Sequence, residues 1–145
     1  MSLASEQRYL LKPLTYMNRS GYSISAMMQY FQISKEEILV VHDDLELPFG
    51  TFAFKFSGGL GGHNGLRSIT SQLGTPDFGR LRIGIGRPAH SNVTAYVLGP
   101  FLKEEEVQID RLFERITDHL GEMLDGDFSH NPQLNVKLKG LEGIK

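Results

Sequence analysis

Four glycines crowd into five residues ahead of a histidine and an asparagine, in the segment Gly58-Gly59-Leu60-Gly61-Gly62-His63-Asn64-Gly65-Leu66. Glycine opens backbone conformations that other residues avoid, and it removes the side chain that would keep a ligand away. Apolar residues then recur at helical spacing as far as Leu73, so we expect a helix to begin near His63 or Asn64. A bare loop that ends at a helix N-terminus favours a polar or anionic ligand. A plain flexible hairpin loop is the alternative interpretation.

A second polar cluster, His42-Asp43-Asp44-Leu45-Glu46, follows the apolar run Ile38–Val41. This run is rich in β-branched residues and predicts a strand that is buried on both faces, as in the centre of an α/β sheet. Polar residues just past such a strand lie at the carboxyl edge of the sheet, where α/β proteins usually bind ligands.

These polar residues allow several kinds of chemistry. Asp43 can orient a catalytic imidazole, or it can simply form a turn. Asp44 and Glu46 can instead help to bind a divalent metal. Either His42 or His63 can act as a general base, because imidazole titrates near neutral pH, or can serve only as a hydrogen-bonding loop residue.

Amide and basic side chains stand near these clusters in the sequence. Asn18 can cap a helix, or its amide can donate to a reacting carbonyl and orient a water molecule, and Asn64 can do the same. Tyr16 can stack on a nucleic-acid base or belong to the core. The basic residues that flank the glycine loop can form a phosphate-binding face or can merely be solvated; they are Lys55, Arg67, Arg80, Arg82 and Arg87.

The elements that must position these residues alternate between strands and helices. We predict strands at 8–12, 38–41, 52–56, 81–85 and 94–98, and helices over 22–31, from 63 or 64 onward, and over 104–124. Ser20 is the expected N-cap of the first helix and Gly126 the expected C-cap of the last. The alternation predicts one α/β domain.

Composition limits the class of protein. The chain has 145 residues with a net charge of −2 and no cysteine, which excludes disulfides, thiolate nucleophiles and cysteine-based zinc sites. No apolar run approaches the roughly 20 residues that span a bilayer, so we expect a cytoplasmic protein. Residues 1–7 have no period and are expected to be a leader or a disordered end, and 8–145 to be the single domain. The tail from Phe128 is expected to be loose.

Four motifs in register together resemble the bacterial-type peptidyl-tRNA hydrolase family. The resemblance extends from about Arg8 to Asp125, and its motifs are the segments 12–21, 38–50, 58–66 and 80–88. It implies a three-layer fold, in which helices flank a mixed, mostly parallel twisted sheet. It also implies cleavage of the ester that joins a peptide to the terminal ribose of tRNA, with no metal or other cofactor and as a monomer.

The resemblance assigns roles to particular residues. It implies that Asp43 stabilises the catalytic histidine, and that Asn18 and Asn64 contact the end of the substrate and position the water. It implies contacts to tRNA from Tyr16, Lys55 and Arg82. The glycine loop, with Gly61, Gly62 and His63, completes the expected site.

The chain departs from the family pattern at its start. The family's N-terminal strand and its general-base histidine have no counterpart before Arg8, and that role transfers to neither His42 nor His63. We therefore expect a truncated hydrolase that keeps most of its binding surface, with impaired or absent catalysis. Loss of a strand also predicts self-association through the sheet.

Two other functions stay open at this point. The first is a non-catalytic RNA-binding relative of the same fold. The second is a metal-dependent phosphoesterase that uses Asp43, Asp44 and His63.

Overall fold

The computed structural model of the chain describes residues 7–89 and 92–124, without the side chains of 121–124. These residues form two compact units. The first unit contains the described residues up to 33 together with 62–76, and the second contains 34–61 together with the residues from 77 onward.

The second unit is built on a mixed sheet. Its described strands are β1 (Leu39–Asp44), β2 (Phe52–Phe56) and β3 (Gly79–Gly84), in the spatial order β1-β3-β2. β1 pairs with β3 in parallel, and β2 pairs with β3 in antiparallel. The α/β class with a mixed sheet is therefore confirmed, although parallel pairing does not predominate among the described strands.

One face of this sheet packs against a long helix. Side chains alternate along β2 and β3, so that Phe52, Phe54 and Leu81 share a face, and each is at most 2% exposed. The helix α4 (Lys103–Leu124) places Ile109, Leu112 and Ile116 in the same core cluster. Its first turn carries Glu104, Glu105 and Glu106, whose negative charges lie at the positive end of the helix dipole.

The first unit is helical. Its elements are a short 3-10 helix at Met17–Arg19, the helix α1 (Ser20–Phe31) and the helix α2 (Asn64–Leu73). Both predicted helices are present, and α2 starts at Asn64 as expected, but α1 starts at Ser20, which is its first residue and not its N-cap; the N-cap is Arg19. Among the described residues, no helix has the length and apolar character needed to cross a lipid bilayer.

Two predicted strands are wrong. Residues 8–12 have no regular structure, and Leu10 is 98% exposed, because this segment pairs with none of the three described strands. The segment Val93–Leu98 is the helix α3 and not a strand. Its β-branched residues favoured a strand, but the Asn92 side chain caps the helix by accepting a hydrogen bond from the Ala95 N–H.

The first strand differs from the prediction in two ways. β1 continues through Asp44, so His42, Asp43 and Asp44, which we expected just past the strand, belong to it, whereas Glu46 lies in the turn that follows. It also lies at an edge of the described sheet, and Val41 is 55% exposed, so the prediction of a central strand buried on both faces is wrong here. The expectations for residues 1–6, for Gly126 and for the tail from Phe128 lie outside the described residues.

The face of α4 that packs in the core is expected to contribute most to stability. Leu112 is 0% exposed, whereas its neighbour Phe113 is 49% exposed. We expect Leu112→Ala to lower the free energy of unfolding by about 2–5 kcal/mol, because it removes buried methyl groups and leaves a cavity. Urea unfolding measures this loss. Phe113→Ala is the matched control, and an equal or larger loss in the control would contradict the assignment of the buried face.

Candidate functional site

The first unit contains a cleft that the two expected asparagines line together. Asn18 and Asn64 contribute to this cleft of about 430 Å³, which we call the amide cleft. Its other lining residues were not predicted as a group, and they are Tyr22, Arg67, Ser68, Ser71 and Gln72.

Buried hydroxyl groups fix the turn that carries Asn18. The Ser20 Oγ donates a hydrogen bond to the Met17 carbonyl at 2.9 Å, which closes the 3-10 helix. The backbone N–H of Gly21 donates to the Ser68 Oγ on α2, also at 2.9 Å. The Gly21–Ser68 bond is buried and thus shielded from water, whereas the Ser20–Met17 bond is partly buried. The start of α1, and Asn18 with it, is thereby tied to α2.

A glycine allows this contact to form. A Cβ atom on Gly21 would lie 2.3 Å from the backbone oxygen of Ser68, closer than atoms can approach. At Gly65, by contrast, an added Cβ would meet side chains, with the Met17 sulfur at 2.7 Å. Gly21 is therefore the residue that must be small because the two backbones are close.

The two amide groups are available to a ligand. Both Asn18 and Asn64 are exposed, and within the part of the chain that the structure describes neither side chain has a hydrogen-bond partner. Each carboxamide offers two N–H donors and one carbonyl acceptor. The cleft can thus donate hydrogen bonds to a carbonyl or hold a water molecule between two amides.

His63 is committed to a structural hydrogen bond. It is the N-cap of α2, and its Nδ1 accepts from the backbone N–H of Leu66 at 3.2 Å. In this arrangement the neutral ring carries its proton on Nε2, so His63 cannot take a proton from water while it caps the helix. The interpretation of His63 as a hydrogen-bonding loop residue is favoured over that of a general base.

The polar residues of β1 lie on alternate faces of the sheet in the second unit. His42 and Asp44 share one face and Asp43 lies on the other, because successive strand residues point to opposite sides. The His42 Nδ1 lies 2.8 Å from the Asp43 carbonyl oxygen, a contact that requires a proton on this nitrogen. The turn interpretation of Asp43 is therefore wrong, because this residue is part of a strand.

This geometry also argues against the metal site. Asp43 and Asp44 diverge, and Asp44 is engaged by an arginine. Among residues 7–89 and 92–124, no group of three or more His, Cys, Asp or Glu lies close enough to hold a metal ion. The metal-dependent phosphoesterase is therefore not favoured.

Arg82 forms an ion pair with Asp44. The Arg82 Nε donates to the Asp44 Oδ2 at 2.7 Å, and the two side chains are 25% and 15% exposed. Burial raises the pKa of Asp44, but the Arg82 hydrogen bond, the Glu46 N–H and the charges of Arg82 and His42 together hold that pKa below its usual value. Within the described residues the terminal amino groups of Arg82 have no partner, so this edge of the guanidinium can bind an anion.

Arg80 is a structural residue and not part of a basic surface. It is 2% exposed, and its terminal nitrogens donate to the Gly59 carbonyl at 2.6 Å and to the Gly58 carbonyl at 3.1 Å. Burial and the charge of Arg82 lower the pKa of Arg80, but a guanidinium remains protonated at neutral pH. Arg80 was predicted as a candidate for a phosphate-binding face. It is instead buried and holds the glycine loop through hydrogen bonds to two carbonyl groups.

The remaining expected residues are exposed. Tyr16 is 85% exposed, and the Lys55 side chain extends over Gly58, where an added Cβ would lie 2.5 Å from its Nζ. Gly61 and Gly62 both have positive φ angles, of 56° and 73°, as the glycine loop prediction requires. Arg87 forms an ion pair with Glu46, which leaves Glu46 less suited to a metal.

Comparisons with known proteins agree on one family. The family model described as "Peptidyl-tRNA hydrolase" matches residues 1–139. The chain is 52% identical over 126 residues to a peptidyl-tRNA hydrolase of Treponema pallidum (strain Nichols), a match that covers 86% of this chain and 62% of that protein. It is 44% identical over 121 residues to one of Geobacter sp. (strain M21), with 83% and 64% covered.

Solved structures give the same result. The crystal structure of peptidyl-tRNA hydrolase from Acinetobacter baumannii matches with a TM-score of 0.75 and 38% identity, over 86% of this chain and 64% of that one. The chain therefore spans a little under two thirds of the length of these relatives.

The close approach of α1 and α2 can be tested with glycine variants. We expect Gly21→Ala to lower the free energy of unfolding by about 1–3 kcal/mol, because the new methyl group would overlap the Ser68 carbonyl and force the backbones apart. Urea unfolding measures the loss. Gly59→Ala is the control, because a Cβ there meets nothing within 4 Å. Equal stability of both variants would refute the steric argument.

The Asp44–Arg82 pair predicts a dependence of stability on pH. The folded-state pKa of Asp44 is depressed, so its contribution is complete above the unfolded value of about 3.9 and is lost as the pH falls through the lower folded pKa. We expect Asp44→Asn to cost about 1–3 kcal/mol at pH 7 and to flatten the loss of stability below about pH 4.

Urea unfolding from pH 2.5 to 7 measures this effect. Asp110→Asn, which changes an exposed carboxylate of α4, is the control. If the free energy of unfolding of Asp44→Asn falls as steeply below pH 4 as that of the unmodified chain, the ion pair does not contribute as described.

Proposed function

The chain belongs to the peptidyl-tRNA hydrolase family, and we propose that it binds peptidyl-tRNA and acts on the ester between the peptide and the terminal ribose. The observation that carries this proposal is the amide cleft, in which Asn18 and Asn64 present unpartnered carboxamides within the described residues. These are the two residues to which the family resemblance assigns contact with the end of the substrate.

Hydrolysis of an ester requires two kinds of group. A base must take a proton from the attacking water, and hydrogen-bond donors must stabilise the oxyanion that develops on the carbonyl oxygen. We assign the donors to Asn18 and Asn64, because they line one cleft and their N–H groups have no competing acceptor among the described residues. Their carbonyl oxygens are suited to orienting the water.

The carboxylate of Asp43 is proposed to stabilise the imidazolium that forms when a histidine takes the proton. None of the five histidines of this sequence is assigned the base role by the resemblance. His63 caps α2 through Nδ1, which argues against its use as a base. We therefore propose that these 145 residues bind the substrate but turn over slowly, by about 10²- to 10⁴-fold relative to an enzyme with a positioned base.

Binding of the tRNA is assigned to exposed cationic and aromatic side chains. Tyr16 offers a ring that is available for stacking, and Lys55 and the free edge of Arg82 offer charge for phosphate. We propose that this reaction takes place in the cytoplasm. Whether the protein is a monomer or self-associates along the exposed edge of β1 stays a prediction, which sizing with light scattering across a wide range of concentrations tests.

The test of the proposed function is hydrolysis of a purified N-acetyl-aminoacyl-tRNA. Asn64→Asp keeps the shape of the side chain but replaces its amide donors by an acceptor, so we expect it to lower kcat by about 10²- to 10³-fold. Asp43→Ala is expected to lower kcat as well. Gln29→Ala removes an exposed amide of α1 that does not line the amide cleft, and it should leave kcat unchanged.

A fusion that carries the family's N-terminal segment ahead of Arg8 separates the remaining outcomes. Cleavage by the fusion alone would support the assigned roles and the slow turnover of these 145 residues. Cleavage by the unfused chain at the fusion's rate would place a base among its own histidines, contrary to the proposal. Binding without cleavage by either protein would favour the non-catalytic RNA-binding function.

A further inference from the structure

The amide cleft continues past the two asparagines along the helix α2. Its lining residues on this helix are Asn64, Arg67, Ser68, Ser71 and Gln72. They stand at positions i, i+3, i+4, i+7 and i+8, which form one stripe on the helix surface. With a rise of about 1.5 Å per residue, the stripe from Asn64 to Gln72 is about 12 Å long. The donors proposed for the ester therefore lie at one end of an elongated polar surface.

The charge of this surface is positive. Arg67 is exposed, and among the described residues its guanidinium has no carboxylate or carbonyl partner. No residue that lines the cleft is an aspartate or a glutamate. A phosphate group that enters the cleft would thus meet a cation with no competing anion in the lining.

An aromatic ring faces the same cleft from the other helix. Tyr22 is 57% exposed, and it lines the cleft together with Asn18 from the short 3-10 helix that precedes α1. Exposed aromatic rings beside cations are the usual means by which proteins hold single-stranded nucleic acid, since every base has a face on which to stack.

We propose that the far part of the cleft, formed by Tyr22, Arg67, Ser71 and Gln72, binds the single-stranded RNA segment that leads to the scissile ester. Arg67 contacts a backbone phosphate, the Tyr22 ring stacks on a base, and the hydroxyl and amide of Ser71 and Gln72 meet polar base or ribose groups. This assignment rests on the proposed function, because it takes the end of a tRNA as the ligand of the amide cleft. A peptide segment is less suited to this surface, because the lining offers no aliphatic side chain for apolar peptide residues.

The experiment measures binding of a fluorescein-labelled single-stranded hexaribonucleotide that ends in CCA, by anisotropy across a KCl series. Arg67→Ala is expected to weaken binding and to reduce the slope of log K against log salt by about 0.7, the value for one phosphate contact on a single strand. Arg67→Lys should restore most of the slope. Tyr22→Ala should weaken binding by about fivefold to a hundredfold with no change in slope.

Arg19→Ala is the matched control, because it removes the same charge from an exposed position of the same unit that does not line the cleft. If Arg19→Ala and Arg67→Ala change the slope of log K against log salt equally, the effect comes from net charge alone and the proposal is overturned. An N-acetyl dipeptide that competes with the RNA for the unmodified chain but not for Arg67→Ala would assign the surface to the peptide instead. Circular dichroism checks that each variant is folded.

The two proposals can fail separately. If the unmodified chain hydrolyses N-acetyl-aminoacyl-tRNA while all variants bind the hexaribonucleotide equally, only the assignment of this surface is overturned. If the chain neither hydrolyses that substrate nor binds tRNA, the proposed function and this assignment both fail.

Discussion

The hydrogen bond from the Gly21 N–H to the Ser68 Oγ is the contact on which the arrangement of the first unit depends. It joins two helices at a distance that a Cβ atom on Gly21 would not permit, and it is shielded from water. A buried N–H without a partner would be costly, so the serine fixes the register of α1 on α2 as well as their separation. Asn18 and Asn64 share a cleft because this register is fixed.

Three arginines of similar appearance in the sequence have different roles. Arg80 is buried and donates hydrogen bonds to carbonyl groups of the glycine loop. Arg82 uses its Nε to form an ion pair with Asp44. Arg67 is exposed and has no partner among the described residues. A guanidinium that already donates to protein oxygens has fewer N–H groups for an anionic ligand, so the charge available to such a ligand depends on these internal bonds more than on the number of basic residues.

Sequence patterns predicted correctly those elements that depend on neighbouring residues along the chain. They failed for elements that depend on tertiary contacts. The glycine loop, the start of α2 and the strand at Phe52–Phe56 follow from glycine spacing and from alternation, which need no knowledge of the rest of the fold. The segment 8–12 looked like a strand, yet a strand requires a hydrogen-bonded neighbour, and that is a property of the tertiary structure. At Val93–Leu98, β-branched residues predicted a strand, whereas the Asn92 cap and local hydrogen bonds form a helix.

The site itself was predicted only in part. Asn18 and Asn64 were candidates from the sequence, but their spacing could not show that the two side chains line one cleft, since 46 positions separate them along the chain. Tyr22, Ser71 and Gln72 were missed because polar residues on a helix surface are usually only solvated. The signal that was present is the polar stripe at i, i+3, i+4, i+7 and i+8 from Asn64, which becomes informative once α1 is known to lie beside it.

The openness of the amide cleft connects its two proposed roles. Unpartnered amides are tolerated in the free protein because water satisfies them, and in water their hydrogen bonds are weak. A nucleotide segment bound along Arg67 and Tyr22, as proposed, would displace this water from the cleft. The same amides then act in a surrounding of lower polarity, where donors aimed at a developing oxyanion are more effective. Contacts with RNA along α2 would therefore strengthen the hydrogen bonds that Asn18 and Asn64 make to the ester.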